Sequence, residues 1–175
     1  MSRYVLVASF AATIASGCRI SLENQATGDA PQTVSDGGVA RSCAVSTTQQ
    51  DCLDAESHSD LAWIQANIFT KSCIFSGCHN GATGGPSTVD LRSGMAAAHM
   101  INFTSHIDAS RKIVVPNDVA ASYLMLMVGD YPPAMAKPPA DGLPSVGLMP
   151  QNMPALCCQK LDALERWINS GSPTQ

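Results

Sequence analysis

The spacing of apolar residues changes along this chain, and each change marks a new element. Tyr4 to Ile14 (YVLVASFAATI) is an almost purely apolar run. It is too short to cross a bilayer as a permanent helix. Residues 19 to 56 keep neither a strand nor a helix period and are punctuated by turn formers (TGDAPQTVSDGG, then STTQQD). That pattern predicts a flexible tether, with a reach of about 35 Å as a random coil. Leu61, Ile64, Ile68 and Phe69 then recur at the spacing of one helix face. Ser57 or Ser59 can cap this helix, and Asp60 is favourable near its positive end.

The helix runs directly into Cys73. Asn80-Gly81-Ala82-Thr83-Gly84-Gly85-Pro86 follows, a loop where the backbone must turn sharply or approach a ligand closely. Val89-Asp90-Leu91 reads as a short extended piece and Ser93 to Ile101 as a short helix. Lys112 to Val115 is extended and stopped by Pro116. Asn117-Asp118 then caps a helix of two to three turns through Met127. Gly129 to Gly147 is too rich in proline for regular structure. A strong helix from Ala155 to Asn169 closes the chain, with Leu161, Leu164 and Ile168 on one face and Gly171 and Pro173 beyond its end. The expected fold is mainly α: a small domain of four or five short helices with long Pro/Gly-rich loops, after a disordered tether.

Composition adds an address. Apolar residues make up 45% and charged residues 14%, and the net charge of -4 leaves no basic footprint for nucleic acid. Arg3 and the apolar run have the form of an export signal over residues 1–17. Ala15-Ser16-Gly17-Cys18 resembles the lipobox of bacterial lipoproteins, with Ala15 where leucine is usual. The resemblance implies acylation of Cys18 and a membrane held through a lipid anchor. An ordinary secretory cleavage after Gly17 is the other reading. Both send the chain to an oxidising compartment, periplasmic or on the cell envelope, where disulfides persist. The organisation that follows is a signal at 1–17, a lipidated cysteine and tether at 18–56, and a folded domain at 57–175.

The chemistry concentrates in Cys73-Ile74-Phe75-Ser76-Gly77-Cys78-His79. Two cysteines with a histidine after the second is the attachment order of a c-type haem, with thiols for thioether bonds and an imidazole for iron. The usual spacer between the cysteines is two residues, and here it is four. On a continuous helix, positions five apart point about 140° away from each other, so both thiols reach one ring only if the intervening residues bulge as a loop. Three other uses of these residues compete. Cys73 and Cys78 can bond to each other, pair with other cysteines, or bind zinc with His79 and a fourth ligand.

A resemblance extends over more than half of the chain. Ile68-Phe69, Cys73, Gly77-Cys78-His79, Val89-Asp90-Leu91, Val115-Pro116-Asn117-Asp118, Ser122-Tyr123-Leu124, Leu148-Met149-Pro150 and Leu164 with Trp167 to Gly171 occur in one order. That order resembles the secreted, planctomycete-type cytochrome c domains. The resemblance implies a class I-like cytochrome fold, thioethers at Cys73 and Cys78, His79 as proximal ligand and Met149 as distal ligand of haem c. Met149 and Met153 both precede proline in loops, and Met153 is the second choice; Met125 and Met127 read as packing. His99 and His106 are lesser candidates for iron, and His58 reads as a surface residue.

The seven cysteines then divide. With Cys18 lipidated and Cys73 and Cys78 on haem, Cys43, Cys52, Cys157 and Cys158 remain, with three possible pairings. A bond between the adjacent Cys157 and Cys158 would strain its peptide. One arrangement ties both tether cysteines to the start of the last helix. No catalytic constellation is present, so the expected role is a monohaem electron carrier with a redox partner in the envelope. The alternatives are a haem-free, disulfide-stabilised lipoprotein acting as a binding or structural module, and a metal or redox sensor.

Overall fold

The computed structural model describes residues 35–36, 39–40, 43–75, 78–81 and 89–175. The export signal and Cys18 lie outside the described residues. A two-residue antiparallel pair, β1 (Ser35–Asp36) and β2 (Val39–Ala40), comes first. The helices are α1 (Gln50–Ala55), α2 (Leu61–Ile64), α3 (Thr70–Ser72), α4 (Ala96–Met100), α5 (Tyr123–Met127) and α6 (Cys158–Asn169). A π-helical run, Gln65–Phe69, joins α2 to α3, and a 3₁₀ turn covers Pro133–Met135. The protein is therefore mainly helical, with short helices separated by long loops. Among the described residues, no helix is long and apolar enough to cross a membrane.

α6 is the longest element because its sequence, CQKLDALERWIN, contains strong helix formers and neither Gly nor Pro. Its apolar face puts Leu161, Leu164, Trp167 and Ile168 into the core, each at most 1% exposed. They pack in one cluster with Leu61, Ile64, Ile68, Phe69, Leu91, Met100, Val114 and Met125. The end is a Schellman arrangement. Ser172 N donates to the Trp167 carbonyl and Gly171 N to that of Ile168, with Gly171 at φ 90°. The helix starts at Cys158 rather than Ala155: Cys157 is still extended, and both cysteines are committed to disulfides.

The polar side of α6 grips the segment before α2. Disulfides join Cys43 to Cys158 and Cys52 to Cys157. Gln159 exchanges two hydrogen bonds with the backbone of Ser46. Lys160, 7% exposed, places Nζ 2.6 Å from Asp51 Oδ2 and holds that carboxyl below its ordinary range. Arg166 donates to the carbonyls of Ala55 and His58, closing the C-terminal end of α1. The part of the expected tether from Cys43 to Ala55 is thus pinned to the body, and Cys43 and Ala55 are buried. A period-based reading passes over this segment because cross-links and α6 side chains, not an apolar stripe, hold it.

The predicted buried face of the first helix is observed at Leu61, Ile64, Ile68 and Phe69. The cap differs. Asp60, not Ser57 or Ser59, is the N-cap, and its side chain accepts from Trp63 N at 2.7 Å. The shorter reach of α5 has a local cause. Asp118 accepts from Ala121 N, and the Ser122 hydroxyl donates to the Asp118 carbonyl while accepting from Val115 N. These side chains satisfy the backbone of 115–122 outside a helix.

The two disulfides are nested, so their effects are unequal to a simple sum. Either one alone closes a loop of more than one hundred residues. With one in place, the other closes only about ten further residues, which lowers its chain-entropy contribution from about 5 to about 3 kcal/mol. Removing either bond by paired Cys→Ser substitution should therefore cost about 3 kcal/mol, and removing both about 8 kcal/mol, in guanidinium unfolding. Two equal losses of about 5 kcal/mol that add would contradict the nesting.

Candidate functional site

The Cys73 to Gly81 loop grows directly from the helical stretch that ends at Ser72. Phe69 is both the last residue of the π-helical run and an anchor, since its carbonyl accepts from Cys73 N and Ile74 N. A π turn holds one residue more than an α turn, which re-phases whatever follows it, and such turns recur at functional sites. After Cys73 the chain leaves the helix and comes back. His79 N donates to the Cys73 carbonyl at 3.1 Å, and Cys78 N donates to the Phe75 carbonyl at 2.9 Å. The bulge expected at Ser76-Gly77 lies outside the described residues.

Cys78 lies near enough to Cys73 to act on its titration, and His79 is tied to Cys73 through the backbone. Cys73 and Ile74 pack against the main core. Burial pushes the Cys73 thiol up to about 12, and the nearby Cys78 adds to the shift. At neutral pH the thiol is protonated and is a poor nucleophile. Neither cysteine belongs to a disulfide, and the other four described cysteines pair among themselves. Among the described residues, no group of three or more His, Cys, Asp or Glu is arranged to hold a metal ion. That bears on a zinc set, which needs such a cluster, and not on a haem iron, which takes one imidazole from it.

His79 is oriented by the extended piece that follows the loop. Its Nδ1 lies 3.1 Å from the Val89 carbonyl oxygen, and its own carbonyl accepts from Leu91 N at 2.9 Å. A carbonyl oxygen can only accept, so Nδ1 carries the hydrogen and Nε2 carries the lone pair. Burial lowers the His79 pKa, partly offset by the Val89 contact. The neutral imidazole, the form that ligates a metal, is favoured.

A latch lies beside this clamp. The Arg92 guanidinium makes three contacts with the buried Asp90 carboxylate, the shortest 2.7 Å, and Arg92 N also donates to it at 3.0 Å. Arg92 holds Asp90 down at about 2. Gly81 sits against the pair at φ 73°; a Cβ there would be 2.4 Å from Arg92 Nη2 and 2.6 Å from Asp90 Oδ2. Gly81 thus approaches the Asp90–Arg92 pair closely, and residues 82–86 of the expected Gly-rich loop lie outside the described residues. Sequence reasoning passed over the latch, and its signal is an Asp-x-Arg spacing after a glycine loop.

Met149 belongs to another loop, fixed to the end of α5 where Met149 N donates to the Met127 carbonyl at 2.7 Å. Met149 is half-buried, while Met153 is exposed. Met125 is a core residue, as expected of a packing methionine. His99 and His106 both lie against Phe103, with ring centroids 5.7 and 5.8 Å apart. His58 is half-buried, stacked on Trp63 and in contact with Asp60, so it is more than a surface residue.

Gly81→Ala should displace the latch, lower stability by about 1–3 kcal/mol and raise the rate at which Cys73 and Cys78 are alkylated in haem-free protein. A fully retained protection of both thiols would show that the latch does not hold the loop. The Asp90–Arg92 pair also has a pH signature. A depressed carboxyl stabilises the fold above its unfolded value, about 3.9, and that contribution is lost as pH falls through the folded value of about 2. The stability difference between wild type and Arg92→Ala should be full above about pH 4 and shrink towards pH 2. A difference that is constant with pH would reject the ionic origin. No family model, curated protein or solved structure matches the chain.

Proposed function

We propose that the protein is a one-electron carrier: a membrane-tethered, monohaem c-type cytochrome. The observation that carries this reading is the sorting of the cysteines. Four are consumed in disulfides, and Cys73 and Cys78 are in neither; Cys78 directly precedes His79, whose imidazole Nδ1 lies against the Val89 carbonyl. Two thiols and an Nε2 lone pair are the donor set that covalent haem attachment uses, so the residues fit the group.

When bound, the haem supplies an iron centre that gains and loses one electron. The chain's own residues do the rest. Cys73 and Cys78 would hold the group through thioether bonds. His79, held at Nδ1 by the Val89 carbonyl, would offer Nε2 as an iron ligand. Met149 would offer its thioether, a soft ligand that raises the potential. Cys73, Ile74 and Val89 join the apolar cluster, which supplies a low-dielectric wall. Export through residues 1–17 and acylation at Cys18 complete the reading, and the redox partner is another protein of the cell envelope.

A second reading rests on Cys73. Its thiol packs on the core with Sγ 3.9 Å from the Ile68 carbonyl, as an inert structural cysteine does. On that reading the protein is a haem-free, disulfide-stabilised lipoprotein serving as a binding or structural module. Protein exported with haem-attachment machinery present should show the reduced-minus-oxidised α-band of a c-type haem. Met149→Ala should lower its reduction potential and Met153→Ala should leave it unchanged. Equal effects of the two substitutions would reject Met149 as the ligand, and absence of the band would favour the second reading.

A further inference from the structure

The two disulfides hold different parts of the segment that straps across α6. Cys43–Cys158 and the two hydrogen bonds of Gln159 with Ser46 fix its start. Cys52–Cys157 fixes α1. Cys43, Cys52 and Cys158 are buried, at 2%, 2% and 4% exposure, whereas Cys157 is half-buried. Cys157 also stands extended, ahead of the first turn of α6, so no helical turn closes over it. Of the four cysteines it is the residue that a reagent in solution reaches first.

α1 depends on α6 for its place. It has six residues, too few to persist alone in water. Among the named elements it packs chiefly on α6. Its other ties there are polar: Lys160 Nζ to Asp51 Oδ2 at 2.6 Å, and Arg166 to the carbonyls of Ala55 and His58. Asp51 Oδ2 also lies 3.8 Å from Nζ of Lys71, whose side chain is half exposed. The carboxylate therefore faces two ammonium groups, one from α6 and one from α3, the helix that leads into Cys73. The apolar face of α6 packs instead with Leu61, Ile64, Ile68 and Phe69, all outside the strap.

We propose that α1 is a redox-sensitive strap: a dithiol reductant opens Cys52–Cys157 while Cys43–Cys158 stays closed, and α1 then leaves α6 with the domain still folded. One thiolate of the reductant attacks Cys157 Sγ, forming a mixed disulfide and releasing Cys52 as a thiolate that takes a proton. The second thiol of the reductant then displaces Cys157, which also takes a proton, and the reductant leaves as its own disulfide. Cys43–Cys158 still closes the long loop, so the unfolded chain stays constrained and the core keeps its partners. Opening uncovers the buried Ala55 and takes Asp51 away from both Lys160 and Lys71. The strap uses none of Cys73, Cys78, His79 and Met149, so the switch operates whether or not haem is attached.

The test is graded dithiothreitol on the full chain without denaturant, after blocking of its free thiols. Newly freed thiols are alkylated and located by fragment mass spectrometry, which separates Cys157 from Cys158, and hydrogen exchange is read on the same samples. Cys52 and Cys157 should be labelled about tenfold faster, or more, than Cys43 and Cys158. Amide protection should fall at residues 50–56 and persist at 161–168. Lys160→Met, which removes the ion pair and keeps both bonds, should speed labelling of Cys52 and Cys157 several-fold. The paired Cys52→Ser, Cys157→Ser variant should show the opened exchange pattern without reductant. Equal labelling rates at the two bonds, or faster opening of Cys43–Cys158, would overturn the proposal. So would loss of protection at 161–168 together with 50–56, which means opening only by unfolding, or unchanged protection at 50–56 once Cys52–Cys157 is reduced. The wild-type measurements decide the matter even if a variant fails to fold.

Discussion

The two-sided use of α6 is the constraint on which the rest of the structure depends. One side buries Leu161, Leu164, Trp167 and Ile168, and the other fixes the segment from Cys43 to His58 through disulfides, an ion pair and backbone contacts. A helix of twelve residues has little stability of its own in water. Burial on one side and cross-linking on the other give it a fixed position. Once α6 is fixed, the apolar face of Leu61, Ile64, Ile68 and Phe69 has a partner surface. That contact in turn sets where the helical stretch stops and the cysteine loop begins.

The second constraint acts locally on that loop. Residues 89–92 make three kinds of contact with 79–81: a side-chain bond to His79, a backbone bond to its carbonyl, and packing of the Asp90–Arg92 pair on Gly81. Each kind limits a different freedom. The first selects the imidazole tautomer, the second fixes the height of the chain, and the third requires glycine. Together they hold His79 and Gly81 against residues 89–92.

Much of this was legible in the sequence. The buried face of the first helix, the irregular proline-rich segment and the amphipathic last helix follow from spacing, because burial alone decides them. So does the separation of Cys157 and Cys158 onto different partners, since a bond between neighbours strains the peptide. Other features were not legible, for physical reasons. α1 is held by side chains of α6 more than one hundred residues away, which no local pattern records. The choice of Asp60 over Ser57 or Ser59 as cap depends on where packing begins. The shortening of α5 comes from Asp118 and Ser122 satisfying backbone groups that a helix would have used. The Asp90–Arg92 latch joins residues whose roles appear only when the loops are in place.

The central claim is that Cys73 and Cys78 are reserved for one covalent ligand. Intact mass measurement of denatured, alkylated protein, exported in cells that carry haem-attachment machinery, tests it most directly. The account predicts a mass increase of one haem and no alkylation at Cys73 or Cys78. An unshifted chain in which both residues carry the alkyl label, or are joined in a third disulfide, would contradict it.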